Sequence, residues 1–274
     1  SETQKARTAD SNVVHTTDSI VSGFRLITDP DERNRFKKSH VGLRKIAVDA
    51  RMFALGNLGE MNIEQVARRQ STRHFTFRAF SNTALSDLLG CLRQIRINDN
   101  PKYGYAGGLY PVRTYLYIKQ DRVEKIPAGY YYYDPLSHSL MCLGHHDQLD
   151  ETIYDRLVNR PIFEEAAFAL FLVVKLGAIA PMYGEPSTHM VTLEAGAMTQ
   201  LLEMAADSAG LGVCQIGQVN FEQIRANFQL SNDEVLIHSL LGGPVEPDDT
   251  GWTPYNEPHH ANVREPEEFE EGEI

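Results

Sequence analysis

The longest stretch of the chain without a polar residue, Ala166–Val174, sets the first limit on how the chain can fold. Nine residues are far fewer than the roughly 20 apolar residues that a membrane-spanning helix needs, so the stretch predicts a buried element of a soluble domain. Periodicity alone fits a buried helix and a buried strand equally well, but the short length and the pair Val173-Val174 favour a strand. We therefore expect a buried β-strand over residues 168–174.

The rest of the pattern interleaves helices and strands without strict alternation. Ser81 or Thr83 is suited to cap a helix in which Leu85, Leu88 and Leu92 recur at helical spacing. The other predicted strands are Val112–Lys119, two short strands within Ile126–Leu143 that turn at Asp134-Pro135, and Val235–Leu241, which Gly242-Gly243-Pro244 closes. The other predicted helices run over Leu149–Asn159, from Thr188 or His189 to Ala209, and over Phe221–Phe228 after Asn220. Residues Ala180–Ser187, with two prolines and one glycine, predict a loop. The order of the elements favours an α+β fold over a doubly wound parallel sheet.

The chain is acidic, because 26 Lys and Arg residues against 37 Asp and Glu residues give a formal net charge of −11 at pH 7. Such a body repels nucleic-acid phosphates and anionic membranes, so we expect neither as a partner. Cys91, Cys142 and Cys214 cannot all pair and lack the spacing of a metal site, which favours a reducing compartment. The first residues contain no apolar secretion signal, so we expect a cytoplasmic protein.

Composition divides the chain into four parts. Residues 1–19 are polar and predict a flexible arm, and residues 20–60 form an N-terminal extension that contains the basic stretch Glu32–Lys45. Residues 61–245 carry most of the periodic pattern and are the predicted main domain. Residues 246–274 end in EPEEFEEGEI, whose six glutamates predict a solvated acidic tail.

Several catalytic signatures are absent from the sequence. It has no GxGxxG, P-loop, GxSxG, HExxH or CxxC pattern, and nothing in it resembles a nucleophile with its base. The pairs His145-His146 and His259-His260 have no third ligand at a useful spacing, so we expect no metal site. Hydrolysis and nucleoside-triphosphate chemistry therefore lose support.

Three segments combine residue types suited to a flat, phosphorylated ligand. In RQSTRHF, residues 69–75, alternate positions place Arg69, Ser71 and Arg73 on one side of an extended chain, and guanidinium groups bind phosphate well. In YAGGLYPVRTYLY, residues 105–117, Gly107 and Gly108 remove two side chains just before a strand, so a ligand can approach the backbone. Residues 193–217 join a long helix to a Gly-rich turn whose backbone N–H groups can donate to a ligand.

Together these segments resemble the nitroreductase superfamily, and more narrowly the SagB-type azoline dehydrogenases and the oxidase domains of nonribosomal peptide synthetases. The resemblance lies in RxSxRxF, in AGGLYP before a strand, and in GLGxCxIG after a helix that contains LEAG, and it covers roughly residues 60–245. It implies a nitroreductase-like α+β fold, with a central, mostly antiparallel sheet flanked by helices and FMN at a homodimer interface. It also implies oxidation of a thiazoline or oxazoline to a thiazole or oxazole on a peptidyl carrier protein.

The resemblance further assigns residues of this chain to the cofactor. Arg69 and Ser71 would hold the FMN phosphate, Arg73 would face the flavin pyrimidine edge, and the Ile216-Gly217 backbone would donate to flavin N5. The other implied cofactor-binding residues are Gln70, Ala106, Gly107, Gly108 and Tyr110. A fixed cation at the pyrimidine edge raises the electron affinity of the flavin, because the reduced flavin gathers negative charge there.

The implied reaction removes a hydride and a proton from neighbouring carbons of the azoline ring. The hydride goes to flavin N5, oxygen reoxidises the flavin, and Tyr183 is the candidate for proton transfer. Related ribosomal-peptide oxidases carry Lys-Tyr where this chain has Met182-Tyr183, so this chain lacks that lysine. Tyr105 and Gln215 also depart from the family pattern, where Ser and Pro are frequent, and Glu194 is expected to join a buried polar network.

Two other functions stay open from the sequence. One is a nitroreductase-like enzyme that takes electrons from NAD(P)H and reduces small molecules, and the other is a flavin-less scaffold in a biosynthetic assembly. The sequence does not distinguish thiazoline from oxazoline, nor a free-standing enzyme from a synthetase domain. The basic segment Arg33–Lys45 has two interpretations, a solvated helix face and a docking site for an acidic carrier protein.

Overall fold

The computed structural model describes residues 27, 29–38, 69–93, 109–144 and 148–246. The chain divides into two units, Ser1–Asn57 and Leu58–Ile274. The described part of the first unit contains helix α1, Pro30–Lys38, which covers the beginning of the basic stretch. Residues 39–45 of that stretch and the acidic end of the chain lie outside the described residues.

The second unit is built on an antiparallel sheet that has six strands within the described residues. The strands are β1 Val112–Ile118, β2 Gly129–Asp134, β3 Ser139–Gly144, β4 Phe168–Lys175, β5 Leu211–Ile216 and β6 Glu234–Pro244. The helices are α2 Asn82–Gly90, α3 Asn159–Glu165, α4 Ala180–Tyr183 and α5 Ser187–Ser208. The strand order is β3-β2-β1-β4-β6-β5 and each neighbouring pair is antiparallel, which confirms the expected α+β fold.

Strand β4 lies in the middle of the sheet and is buried on both faces. Every residue from Phe168 to Val174 is buried, and the strand pairs with β1 on one side and β6 on the other. One face packs against α2 and α5, and the other packs against an aromatic cluster that includes Phe163, Phe221 and Phe228. The apolar run therefore forms the strand that its length and composition predict.

Two helix boundaries follow from local capping. The Ser81 hydroxyl accepts a hydrogen bond of 3.2 Å from the Ala84 backbone N–H at the start of α2, as the sequence predicts. Helix α5 begins at Ser187, one residue before the predicted start. It ends before Gly210, whose φ of +67° lies in the left-handed region that favours glycine after a helix.

The predicted helix over residues 149–159 is wrong. A short 3-10 turn spans Glu151–Ile153, and helix α3 begins only at Asn159. The Asp150 carboxylate accepts from the Thr152 N–H, and the Asp155 carboxylate accepts from the N–H groups of residues 157 and 158. These local bonds offer the backbone an alternative to helical hydrogen bonds, so the segment folds as two turns.

The predicted helix over Phe221–Phe228 is also wrong, because two 3-10 turns, Phe221–Gln223 and Arg225–Phe228, replace it. The rings of Phe221 and Phe228 stack with centroids 5.5 Å apart, whereas seven residues of a straight α-helix rise about 10.5 Å. Asn220 makes no side-chain capping bond to this segment. Aromatic packing in the core therefore overrides the helical pattern.

Two segments that were expected to lie outside secondary structure form part of a strand and a helix. Gly242-Gly243-Pro244 was expected to close β6, but the strand continues through Pro244. A Cβ at position 242 would lie 2.3 Å from the Phe168 ring, so glycine allows β6 to pass close to that ring. Residues 180–187, expected as a loop, contain the four-residue helix α4.

Candidate functional site

The segment Arg69–Phe75 lies against β5. The Thr72 N–H donates to the Val213 carbonyl at 2.9 Å, and the Thr76 N–H donates to the Pro244 carbonyl at 2.8 Å. Gly212 makes this approach possible, since a Cβ there would lie 2.5 Å from Cγ2 of Thr72. The first and third of the sequence segments are therefore in direct contact.

Arg69 is bound to a buried carboxylate on α5. Its Nη1 lies 3.2 Å from Oε2 of Glu203, whose side chain is only 2% exposed, while the Arg69 side chain is 39% exposed. The guanidinium has five N–H donors, so most of its donor capacity stays available to a ligand. Arg69 and Gln70 also line a cavity of about 230 Å³ with Thr72 and Glu203.

The Glu203 carboxylate anchors a chain of polar side chains at the sheet surface. Its Oε1 accepts from Nε2 of Gln215 at 2.9 Å, and Oε1 of Gln215 lies 3.1 Å from Nε2 of His238. Burial lowers the pKa of His238, and the negative charge of Glu203 partly opposes that shift. Gln215, which replaces a frequent proline, thus joins α5 to β6 through its side chain.

Arg73 is exposed, and its Nη1 donates to the Ser71 carbonyl at 3.3 Å. Its positive charge acts on Cys214 of β5 and partly offsets the burial that raises the pKa of that thiol. The guanidinium groups of Arg69 and Arg73 thus place two positive charges at the β5 side of the sheet. Arg69 pairs with Glu203, and Arg73 donates to the Ser71 carbonyl.

The sheet register relates the remaining described candidates to one another. The start of β1 lies beside the end of β4, and β5 runs in the same direction as β4, with Ile216 level with Phe171. Tyr110 precedes β1, Tyr183 follows β4 in helix α4, and Gly217 follows Ile216 at the end of β5. The candidates Ala106, Gly107 and Gly108 lie outside the described residues.

Gly217, Tyr110 and Tyr183 differ in their local surroundings and backbone conformation. A Cβ on Gly217 would meet no atom within 4 Å, so there is free space beside this backbone. Tyr110 has a φ of +47°, in the left-handed region. Tyr183 is half-buried and packs its ring against the core, and within the described residues its hydroxyl has no hydrogen-bond partner.

Glu194 of α5 is buried close to the start of β1. Its Oε1 accepts a hydrogen bond of 3.2 Å from the Val112 N–H, and only 1% of the residue is exposed. Burial raises the pKa of this carboxyl to about 7, although the hydrogen bond from Val112 opposes the shift. Glu194 therefore has the structural role that its apolar neighbours predict: it fixes α5 against β1.

The described residues fit the phosphate and the flat ring of a flavin. Arg69 and Arg73 supply partly exposed guanidinium groups, which bind phosphate and electron-rich ring edges. The open space beside Gly217 leaves room for a planar ring against the backbone at the end of β5. Sequence reasoning missed Glu203 as the partner of Arg69, although Ala195, Thr199 and Glu203 recur four residues apart along the same helix face.

Among the residues that the structure describes, no group of three or more His, Cys, Asp and Glu side chains is arranged to hold a metal ion. None of the described helices combines the length and apolarity that crossing a bilayer requires.

Comparison with known proteins gives a consistent assignment. The sequence model described as "Nitroreductase family" matches residues 66–243, well over half of the chain. Indigoidine synthase of Dickeya dadantii is 26% identical over 165 residues, which are 60% of this chain but only 10% of that protein. The chain thus spans about a tenth of the length of that relative.

Two solved structures share the fold. A nitroreductase-type protein from Ralstonia eutropha JMP134 is 25% identical, with a TM-score of 0.57 over 71% of this chain and 88% of that chain. A chain of the E. coli microcin synthetase McbBCD complex, with truncated pro-MccB17 bound, has a TM-score of 0.59. It is 17% identical and the match covers 85% of this chain and 92% of that chain, so it indicates the shared fold alone.

Proposed function

Because the chain belongs to the nitroreductase family of flavin oxidoreductases, we propose that it uses FMN to oxidise a peptidyl thiazoline or oxazoline on a carrier protein. The product is the thiazole or oxazole, and oxygen accepts the electrons. The observation that carries this proposal is the contact of the Arg69–Phe75 segment with β5, which brings two cations beside the strand that ends at Ile216.

In this proposal the residues on and beside β5 hold the cofactor. Arg69, with Gln70 and Ser71, binds the FMN phosphate, because phosphate requires cations and hydroxyl donors. Arg73 faces the pyrimidine edge of the flavin, and the Ile216-Gly217 backbone donates to its N5. Tyr110 and the segment Ala106–Gly108 complete the binding site.

Bound FMN supplies an acceptor for two electrons. The chain's own residues orient it: the charge of Arg73 offsets negative charge at the pyrimidine edge, and the pairing of Arg69 with Glu203 fixes the guanidinium. Tyr183 moves the proton that the azoline ring loses at the carbon next to the one that gives up the hydride. Its hydroxyl is available for this, since it has no hydrogen-bond partner among the described residues.

The biosynthetic direction draws support from the relatives. The name indigoidine synthase describes an enzyme that synthesises a compound. This chain matches a tenth of that enzyme, which is consistent with a match to one tailoring domain. A carrier-bound substrate would account for the basic helix α1, whose exposed Arg33 and Arg35 complement an acidic carrier protein. We further propose a homodimer with one FMN at each of its two equivalent interface sites.

The test begins with the visible spectrum of the full purified chain, before and after reconstitution with FMN. An azoline thioester on a carrier protein is then added without oxygen. Bleaching of the flavin, with loss of two hydrogen atoms from the substrate by mass spectrometry, is the expected result. Bleaching by NADPH but not by the azoline would replace the proposal with a nitroreductase-like reductase. A colourless protein that FMN does not reconstitute would identify a scaffold instead.

A further inference from the structure

A serine, a histidine and a tyrosine form a hydrogen-bonded row far from β5. Oγ of Ser86 lies 2.8 Å from Nε2 of His138, and the Tyr133 hydroxyl lies 2.7 Å from Nδ1 of the same ring. With the proton on Nδ1, the ring donates to Tyr133 and its Nε2 accepts the proton of Ser86. This is the arrangement of a nucleophile, its base and a group that orients the base.

The sequence does not suggest this row, since Ser86 and His138 are 52 residues apart. Ser86 lies in the middle of α2, Tyr133 on β2, and His138 in the turn that joins β2 to β3. No sequence pattern of a nucleophile with its base marks this row, because its members come from three different elements. Tertiary packing of α2 against the β2–β3 hairpin brings the two groups together.

The turn fixes His138 in position. The Asp134 carboxylate accepts from the N–H groups of Leu136 and Ser137 and from the Ser137 hydroxyl. His138 itself has a φ of +52°, a left-handed conformation that costs free energy in a residue other than glycine. Such a conformation is typical of functional residues whose surroundings hold them in place.

The row faces a cavity of about 370 Å³. Leu85, Leu89, Ile126 and Leu140 line it together with Ser86 and His138. Asn82, one turn before Ser86 on α2, and Lys125 also line the cavity and can donate hydrogen bonds. The cavity therefore offers an apolar surface beside a nucleophile and polar donors, as a small acyl substrate requires.

This cavity is separate from the proposed flavin site. Strand β3 forms one edge of the sheet and β5 the other, with four strands between them. Residues of α2, β2 and β3 supply the cavity, and none of the residues assigned to FMN lines it.

We propose that this cavity is a second reactive site, in which Ser86 attacks small carboxylic esters with an apolar acyl group and His138 is the base. The Ser86 oxygen bonds to the ester carbonyl carbon while Nε2 of His138 takes the hydroxyl proton. The bond from that carbon to the alcohol oxygen breaks, and the alcohol leaves with the proton. Water then hydrolyses the acyl-serine and restores Ser86.

The charges around His138 favour its neutral form. Burial lowers the pKa of His138, the positive charge of Arg93 lowers it further, and Asp87 opposes both effects. The other titratable groups of the cavity are Lys125, Tyr131, Tyr133 and Cys142. Because the neutral ring is the base, reaction at Ser86 is lost as the pH falls through a midpoint below about 6.5, the ordinary value for histidine.

The test treats the full chain with an alkyl fluorophosphonate, which labels activated serines, and locates the label by peptide mass spectrometry. We expect labelling of Ser86, its loss in Ser86→Ala, and a decrease of at least about a hundredfold in His138→Asn, which loses the base. Asparagine tolerates the left-handed backbone, so the turn is preserved. Tyr133→Phe should slow labelling about fivefold, the effect of one neutral hydrogen bond.

Thr83→Ala is the matched control, since Thr83 is an exposed hydroxyl residue on the same helix that does not line the cavity. It should label at the rate of the unchanged chain, and a thermal melt of each variant verifies folding. Release of p-nitrophenol from p-nitrophenyl butyrate should follow the same order of variants. An unlabelled Ser86 in the folded chain, label only on Cys142, or a labelling rate without a titration below pH 6.5 overturns the proposal.

Discussion

Arg69 and Glu203 form an ion pair that joins the segment in front of β5 to the interior of α5, with Nη1 and Oε2 3.2 Å apart. The carboxylate is almost fully buried and has Gln215 as its second partner, whereas the guanidinium is half-exposed. A buried carboxylate without a cation is unfavourable, so Glu203 depends on Arg69 more than Arg69 depends on Glu203.

Arg69→Ala should lower the free energy of unfolding by about 1–2 kcal/mol, a value below that of a fully buried pair because Arg69 is partly solvated. The double variant Arg69→Ala Glu203→Gln should regain most of the loss, since a neutral amide costs less to bury. Urea denaturation measures both. Arg156→Ala, at an exposed arginine, is the control. Equal stabilities of the single and double variants would contradict the dependence.

Glu194 should make stability depend on pH. Its pKa is raised to about 7 in the folded chain and is about 4.5 for a free carboxyl, so the folded state binds the proton more tightly. The contribution of this proton is complete below pH 4.5 and is lost as the pH rises to 7. Glu194→Gln should therefore be more stable than the unchanged chain at pH 8, by about 1–3 kcal/mol, and not at pH 4.5.

Unfolding by urea at pH 4.5, 6 and 8 measures the difference between the two proteins. Glu185→Gln, at an exposed glutamate beside the same helix, should leave the pH dependence unchanged. If the free energies of unfolding of Glu194→Gln and of the unchanged chain differ by the same amount at all three pH values, Glu194 does not titrate as described.

Gly212→Ala should separate the Arg69–Phe75 segment from β5. The added Cβ would lie 2.5 Å from Cγ2 of Thr72, closer than carbon atoms approach, so one of the two chains must move. We expect a loss of about 1–3 kcal/mol in the free energy of unfolding and a weaker affinity for FMN. Combination with Thr72→Gly should restore both, because it removes the contacted side chain.

The matched control is Gly196→Ala in α5, where the added Cβ meets no atom within 4 Å. Alanine is the better helix former, so this variant should gain about 0.5–1 kcal/mol. FMN affinity is measured by fluorescence titration. Unchanged FMN affinity in folded Gly212→Ala would mean that the contact with β5 does not position the cofactor site.

Sequence analysis succeeds here where the signal is local. The apolar run predicts β4, Ser81 predicts the start of α2, and Gly210 predicts the end of α5, because each depends on neighbours in the chain. It fails at the pairing of Arg69 with Glu203, 134 residues away. Motifs bring the Arg69–Phe75 segment and β5 to attention separately, but only the tertiary packing brings the two into contact.

Failures of the predicted elements have the same origin. The aspartates at 150 and 155 form turns where the periodic pattern suggests a helix, and stacking of Phe221 on Phe228 replaces another helix. The sequence pattern does not predict strand β5 either, since its pairing with β6 joins residues far apart in sequence.

Gly217→Val should separate cofactor binding from stability. The new side chain enters open space, so the free energy of unfolding should change by less than about 0.5 kcal/mol. The same side chain takes up the room beside the backbone where we place the flavin ring, so FMN affinity should fall at least about tenfold, or 1.4 kcal/mol. Fluorescence titration with FMN measures this, and Gln218→Ala, at the exposed neighbour, is the control. Full affinity in Gly217→Val would move the flavin away from this strand end.

Tyr183→Phe should preserve the bound flavin and remove most of the turnover, because it deletes a proton-transfer group without changing the ring that packs on the core. We expect about a hundredfold lower rate of azoline oxidation with an unchanged flavin spectrum and an unchanged melting temperature. Tyr132→Phe removes a hydroxyl from β2, on the side of the sheet remote from β5, and should leave the rate unaltered. A near-normal rate in Tyr183→Phe would exclude Tyr183 from proton transfer while leaving the FMN assignment intact, because that assignment depends on Arg69, Arg73 and Gly217.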